Sequence, residues 1–250
     1  MYKDFCLSSR ILSLNHFDMK KILFLTALIF CITNVYGQIS FGVQADIGKS
    51  QLFGISNEAI VSYGFYGAKY NQDIEMYASP SLRLRKGISD RLFWESGIGY
   101  QPLSYTLHLS QTHPLILRYR EETLNINLHY LTIPLSLGYS FPLGTKSKII
   151  TNLGINTAIL LSYSDNYLDI IWGDYLQIGG WYSQFVFKPF LSIAYQSSIS
   201  QTGGIEIGCF ISTSINSFAS EDKAWGFFNN LASASSLNYG LQLKYFFTTK

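Results

Sequence analysis

Few side chains in this sequence are of types that do chemistry, and their spacing is uninformative. His108 and His113 fall in a stretch read as loop, and His129 falls in a strand-like segment; these spacings match no standard metal motif. Asp165, Asp169 and Asp174 crowd another loop-like stretch and would suit the carboxylates of a lipase or protease. Such an enzyme also needs a nucleophile and base in register, and no pattern supplies them. Ordinary loop polarity is the simpler reading of these residues. There is no Gly-rich phosphate loop and no heptad repeat, and no cofactor is expected. Cys6 and Cys31 lie near the N-terminus, in segments expected to be removed. That leaves Cys209 alone, with neither an intramolecular disulfide nor a cysteine-rich metal site.

A second set of charges is more informative because it sits inside strand-like segments. Asp46, Arg83, Arg85, Glu95, Lys188, Glu206 and Lys244 each occupy the face opposite their segment's apolar run. Their signs nearly balance, as buried charges require. What positions them is a matter of the whole chain.

The composition is that of a β-protein in an apolar solvent. Charged residues make up only 14% of the chain against roughly 25% in soluble domains, while aromatics reach 16%. A net charge of +2 gives no case for nucleic acid as a partner.

The N-terminal region reads as an export signal. Met19-Lys20-Lys21 forms a basic start, residues 22–32 a short apolar core, and Gly37/Gln38 the expected cut. The apolar core is shorter than the roughly 20 residues that span a bilayer. Cys31 follows Phe30 where lipidation wants a small residue, so a lipoprotein is not expected. Residues 1–18 fit no part of the signal and read as an upstream extension, with translation starting at Met19. The signal is then 19–37 and the mature domain 38–250.

From Gln38 onward apolar and polar residues alternate with period two. Eight segments are predicted. The first runs from Ile39 to Ile47, the second over 76–88 and the third over 92–101, with Ser89-Asp90 as a tight turn. The fourth begins with Leu124, Ile126, Leu128 and Tyr130, then its apolar phase shifts to Leu131, Ile133, Leu135, Leu137 and Tyr139. That one-residue shift predicts a β-bulge beside Pro134. Four more follow near 148–161, 181–195, 203–213 and 237–247. Long loops are expected at 50–74, 104–121, 162–180 and 214–236, with short joins near 89, 140–147 and 196–202.

Alternating long and short connections with an even strand count describe an all-β, eight-stranded antiparallel up-and-down transmembrane β-barrel in the bacterial outer membrane. A soluble barrel or sandwich would show the same period. Its solvated face should carry many Lys, Glu and Thr, whereas here the polar face is mostly Gly, Ser, Asn and Gln. Small groups suit a narrow lumen. Tyr139, Tyr195, Tyr245 and Phe247 end the apolar faces as interfacial girdles do. Outer-membrane lipid, lipopolysaccharide and the barrel-assembly machinery are the partners such a barrel implies. Trp172, Trp225, Phe227 and Phe228 fall in long loops, as caps of the barrel or contacts for other envelope or secretion proteins.

Leu128-His-Tyr-Leu-Thr-Ile-Pro-Leu-Ser-Leu-Gly-Tyr139 resembles the YLEIPLLLKY signature of the PorT-like outer-membrane β-barrel family. Gly42-Val-Gln-Ala45, Leu92 to Tyr100 and Leu237 to Phe247 resemble its first, third and closing strands. Thr132 stands where that family usually has Glu, and Lys188-Pro189-Phe190 where it favours glycines. The resemblance implies the barrel and its membrane. PorT itself is tied to type IX secretion and gliding machinery, and most of its relatives have no assigned role. Three function classes follow: a non-enzymatic structural, interaction or secretion-accessory barrel; a small porin or ligand channel; and a membrane-embedded lipid-modifying enzyme or protease.

The mature protein should begin at Gln38. N-terminal sequencing of protein taken from outer membranes checks this, and retention of residues 22–32 would rule out the signal peptide.

Overall fold

The structure, a computed structural model, describes residues 39–54, 66–112, 119–166, 182–200, 203–216 and 234–248. Residues 1–38, which include the stretch expected to be the export signal, lie outside the described residues. So do His113, Asp169, Asp174, Trp172, Trp225, Phe227 and Phe228.

Nine strand segments follow in order: β1 (Ile39–Phe53), β2 (Tyr66–Asp73), β3 (Glu75–Gly87), β4 (Leu92–Thr112), β5 (Tyr119–Pro142), β6 (Ser147–Asp165), β7 (Phe185–Ser200), β8 (Gly203–Thr213) and β9 (Ser235–Thr248). All strand pairings among the described residues are antiparallel, and β1 pairs with both β3 and β9, which closes the sheet into a barrel. Residues of β2 and β3 pair with successive stretches of β4 and are separated only by Ile74, so together they form one stave. The barrel therefore has eight staves, as the alternation predicts.

Following one hydrogen-bonded row around the wall gives the stagger. The row passes from Ser40 through Arg85, Glu95, Ser136, Gly154, Phe190, Ser212 and Asn238, and returns to β1 at Ser50, ten residues on. A stagger of that size in eight strands means a tilt of about 40°.

Three expectations about segment length are corrected. Residues 66–73, expected as loop, form β2. Within the stretch 104–121, residues 104–112 and 119–121 are strand, because β4 continues to Thr112 and β5 begins at Tyr119. β6 likewise runs on to Asp165. The polar residues there read as loop, yet they form the outer face of strands that rise beyond the apolar belt.

The same feature corrects the expected bulge. β5 alternates without interruption from Leu124 to Ser140, even residues inward throughout. What changes at Tyr130 is the chemistry of the two faces. Above it Leu124, Ile126, Leu128 and Tyr130 point in and are buried, with Asn125 and Asn127 outside. Below it Thr132, Ser136 and Ser140 point in, and Ile133, Leu135 and Leu137 point out at 42–57% exposure. A chain that passes from water into an apolar medium must exchange its faces in this way. The bulge lies on the neighbour: His129 pairs with Ser162 and Tyr130 with Leu160, which leaves Leu161 as the extra residue on β6.

The outward apolar belt runs around the whole barrel and includes Phe41, Leu82, Leu153, Leu191, Ile207 and Leu241. On β5 it spans Leu131 to Tyr139, roughly 30 Å of strand at ~3.3 Å per residue. Tilted by about 40°, that is roughly 23 Å tall, close to the ~25 Å apolar band of membrane barrels. Beyond the belt the interior is filled by a core of Leu103, Tyr105, Leu107, Leu124, Ile126, Leu128 and their neighbours. Ser50 and Tyr105 hydroxyls meet there at 2.8 Å.

Two asparagines end the ladders at this rim in the same manner. The Asn125 N–H donates to Asn166 Oδ1 (2.8 Å), and Asn166 Nδ2 donates to the Thr123 carbonyl (3.0 Å). On β7, Phe187 N–H donates to Asn216 Oδ1 (2.8 Å), and Asn216 Nδ2 donates to the Phe185 carbonyl (2.6 Å). Each side-chain amide stands in for one more peptide group, so backbone beyond the neighbouring strand keeps its partners.

A barrel closed in this way should be heat-modifiable, because detergent cannot compete for backbone groups already satisfied internally. Unboiled and boiled samples should differ in gel mobility; equal mobility after verified refolding argues against closure.

Candidate functional site

The polar half of the lumen is the place where charged chemistry is concentrated. Parity puts its charges inside. Strand register then sets two oppositely charged neighbours side by side, Arg85 with Glu95 across β3–β4 and Glu206 with Lys244 across β8–β9. The side chains do not simply pair with their neighbours. Arg85 reaches across to Glu206 through both Nη atoms, the longer contact being 3.0 Å, while its Nη2 also donates to Glu95 Oε2 at 2.8 Å. Lys244 Nζ in turn donates to Glu95 Oε1 at 2.8 Å, and Arg83 Nη1 lies 3.9 Å from the same oxygen. Glu95 is thus ringed by three cations, and the crossed pairs tie β3 and β4 to β8 and β9 over the intervening β1. Glu95 and Glu206 are fully buried.

Arg85 is also gripped by aromatic faces. Its guanidinium lies 4.2 Å from the Phe93 centroid and 4.0 Å from that of Phe246. Both rings occupy room left by glycines. A Cβ on Gly138 would come within 2.1 Å of the Phe93 ring, and one on Gly42 within 2.7 Å of the Phe246 ring. This arrangement closes the turn end of the lumen, where Phe93 joins Ile150 and Ala194 in a small apolar cluster.

The seven charges singled out in the sequence do not form one network. Arg83, Arg85, Glu95, Glu206 and Lys244 are brought together. The Asp46 carboxylate accepts from Gln44 Nε2 at 2.7 Å and lines a cavity shared with Arg83 and Lys244. Lys188 stands apart on β7. Its register neighbour on β6 is the neutral Asn156, and its Nζ donates to Gln101 Oε1 at 2.9 Å while lying 4.9 Å from the Tyr130 centroid. Among the described residues no carboxylate pairs with it. Parity tells which side of the wall a charge occupies, but not its neighbours across the lumen.

The cavity between the charge cluster and the apolar core has a volume of about 40 Å³. That is room for a few waters, at roughly 10–15 Å³ each. Gln44 Oε1, Asn156 Oδ1 and Gln242 Nε2 border it without protein partners among the described residues, and buried groups of this kind are satisfied by water.

Outside the barrel, one hydroxyl–imidazole–carboxylate chain is present. Thr123 Oγ1 lies 3.3 Å from His108 Nδ1, and His108 Nε2 lies 3.0 Å from Asp73 Oδ2. These residues come from β5, β4 and β2, on the exposed face of the rising strands. His108, expected in a loop, is therefore on a strand. The trio sits on an open sheet face with the imidazole and carboxylate 47% and 55% exposed. It lacks the enclosed pocket that a nucleophile–base pair works in, and is a cross-strand polar ladder. His129 Nδ1 instead meets the Tyr100 hydroxyl at 2.5 Å, and Asp165 accepts from Tyr182 at 3.0 Å. No grouping of three or more His, Cys, Asp or Glu suited to a metal occurs among the described residues.

No family model and no curated protein matches the chain. Solved structures similar to it are outer-membrane barrels. The outer membrane protein OprG of Pseudomonas aeruginosa is 11% identical, with 85% of this chain and 94% of that one aligned at a TM-score of 0.43. The N-terminal β-barrel domain of OprF from the same organism is 9% identical, with 86% and 100% aligned at 0.40. The attachment invasion locus protein Ail of Yersinia pestis is 6% identical, with 85% and 99% aligned at 0.40. The closed barrel of this chain rests on its own strand register.

Gln44, Gln101, Phe93 and Phe246 were not singled out in the sequence, although the same parity that placed the charges would have put all four in the lumen.

The two kinds of buried charge should respond oppositely to neutralisation. Glu95→Gln or Glu206→Gln leaves Arg85 or Lys244 short of a partner and should cost about 3–5 kcal/mol. Lys188→Met removes an ammonium that has only neutral partners, and should be neutral or stabilising. Urea unfolding of refolded protein in detergent reads both. Equal destabilisation by all three variants would contradict the assignment.

Proposed function

We propose that this chain is an outer-membrane β-barrel with a closed lumen, serving envelope structure or interaction and carrying out no catalysis. The observation that supports it is the filling of the interior. The crossed ion pairs and the Arg85 aromatic clamp occupy the turn end, a cavity of about 40 Å³ follows, and the apolar core around Tyr105 and Leu128 fills the far end. A conducting barrel needs a continuous wet path, and this interior interrupts one twice.

Placement in the outer membrane is supported by the inversion of faces on β5 and by the outward belt. An Arg or Lys facing lipid at the midplane would cost roughly 2–4 kcal/mol, whereas the lumen charges all point inward. Both ends of the barrel domain leave from the turn side, which supports a periplasmic orientation of that side. The rising strands β2, β4 and β5 then stand outside the cell as a polar-faced wall, a surface suited to partners. A secretion-accessory role of the PorT type belongs to this reading through the likeness of Tyr130 to Tyr139.

Purified wild-type protein in planar bilayers should show no steady single-channel conductance. Stable, reproducible openings would replace this reading with the channel.

A further inference from the structure

We infer that the turn-end rim binds the phosphate-bearing headgroups of anionic phospholipids in the leaflet it faces, an inference that rests on the membrane reading above. Two features coincide there. The first is charge. Arg91 in the β3–β4 turn, Lys146 in the β5–β6 turn and Lys148 at the start of β6 are exposed, and at this end the exposed described side chains include one carboxylate, Asp90. The second is the aromatic belt at the same end, beside the turns that carry Arg91 and Lys146, with Lys148 on the lumen-facing side of β6. Phe141, Ile149 and Tyr195 form one outward row across β5, β6 and β7. Phe141 and Tyr195 are each 49% exposed, and the Tyr139 ring packs on Phe141 at 4.6 Å between centroids.

The structure joins the two features. Leu92, the residue after Arg91, pairs with Tyr139 across β4–β5, which sets Arg91 at the edge of the belt. The Arg91 carbonyl accepts from Ser140 N–H at 2.8 Å and the Lys146 carbonyl from Ser198 N–H at 3.0 Å, so both turns are tied to the adjacent strands. Aromatic rings of a membrane barrel lie at headgroup level. Cations fixed just past them therefore meet phosphates, and anionic surfaces attract each such residue measurably. A guanidinium suits phosphate through its paired N–H groups.

Trp94 lies outward on β4 near this end and can report the contact. The test uses the full mature chain with Trp172, Trp181 and Trp225 replaced by Phe, inserted in vesicles containing brominated phosphatidylglycerol or brominated phosphatidylcholine. Quenching of Trp94 should favour phosphatidylglycerol by about threefold, and 1 M salt should remove most of that preference. The Arg91→Gln/Lys146→Gln/Lys148→Gln variant should bring the ratio to one while staying heat-modifiable. A ratio of one in the parent protein, or an unchanged ratio in the triple variant, overturns the inference and leaves the membrane reading standing. No quenching by either lipid overturns both.

Discussion

The pairing of β1 with β9 is the constraint on which everything else in this molecule rests. It joins the first and last strands of the barrel over a long register, from Ser40–Thr248 to Phe53–Ser235. Without it the sheet would have two open edges in an apolar medium, each carrying unpaired peptide groups at several kcal/mol apiece. Once closed with a stagger of ten residues, the barrel has a fixed tilt and a fixed bore. The bore then decides which side chains fit inside. Gly138 and Gly42 are needed because a bore this narrow must hold both phenyl rings that grip Arg85.

A barrel that crosses a membrane meets two solvents outside and, in this case, room for only a few waters inside, and the sequence is written accordingly. Period-two alternation makes the strands legible, and the outward residues can be read from it almost without error on β1, β3, β7, β8 and β9. It misleads where the outer solvent changes. On β5 the apolar residues move from even to odd positions at Tyr130, which imitates a shift of register. The strand itself is regular, and the exchange marks where the wall leaves lipid for water. The same effect hid β2 and the upper part of β4. His108, Thr106 and Asn125 have polar outward faces because water is their solvent there, and a polar stretch read alone looks like loop.

The lumen was legible to a lesser depth. Facing inward follows from parity, and near-neutral total charge follows from the cost of burying ions. Neither tells how a side chain on one wall meets one on the other. Glu206 lies beside Lys244 in the ladder and yet takes Arg85, while Lys244 takes Glu95. Such exchanges depend on side-chain length and on the bore, which no linear pattern carries. Lys188 is the clearest case. It satisfies the parity rule as well as any of the others, but β7 places it next to Asn156 and opposite Gln101, away from every carboxylate of the cluster.

The division of the interior into a charged zone and an apolar zone has a physical logic of its own. Ion pairs are strong only where water is scarce and geometry is held. In the lipid-girdled half the wall is rigid, because every strand is paired on both sides, so Glu95 and Glu206 can be buried completely without losing partners. Above the belt the outer face is wet, and β4 and β5 rise past the ends of β3 and β6. Charge pairs set inside such a wall would be screened and poorly positioned. An apolar core needs no directional partners, gains from every surface removed from water, and stiffens the projecting strands from within. Each half is thus filled by the interaction that its own surroundings make effective, and the exchange of faces at Tyr130 is the point at which one filling gives way to the other.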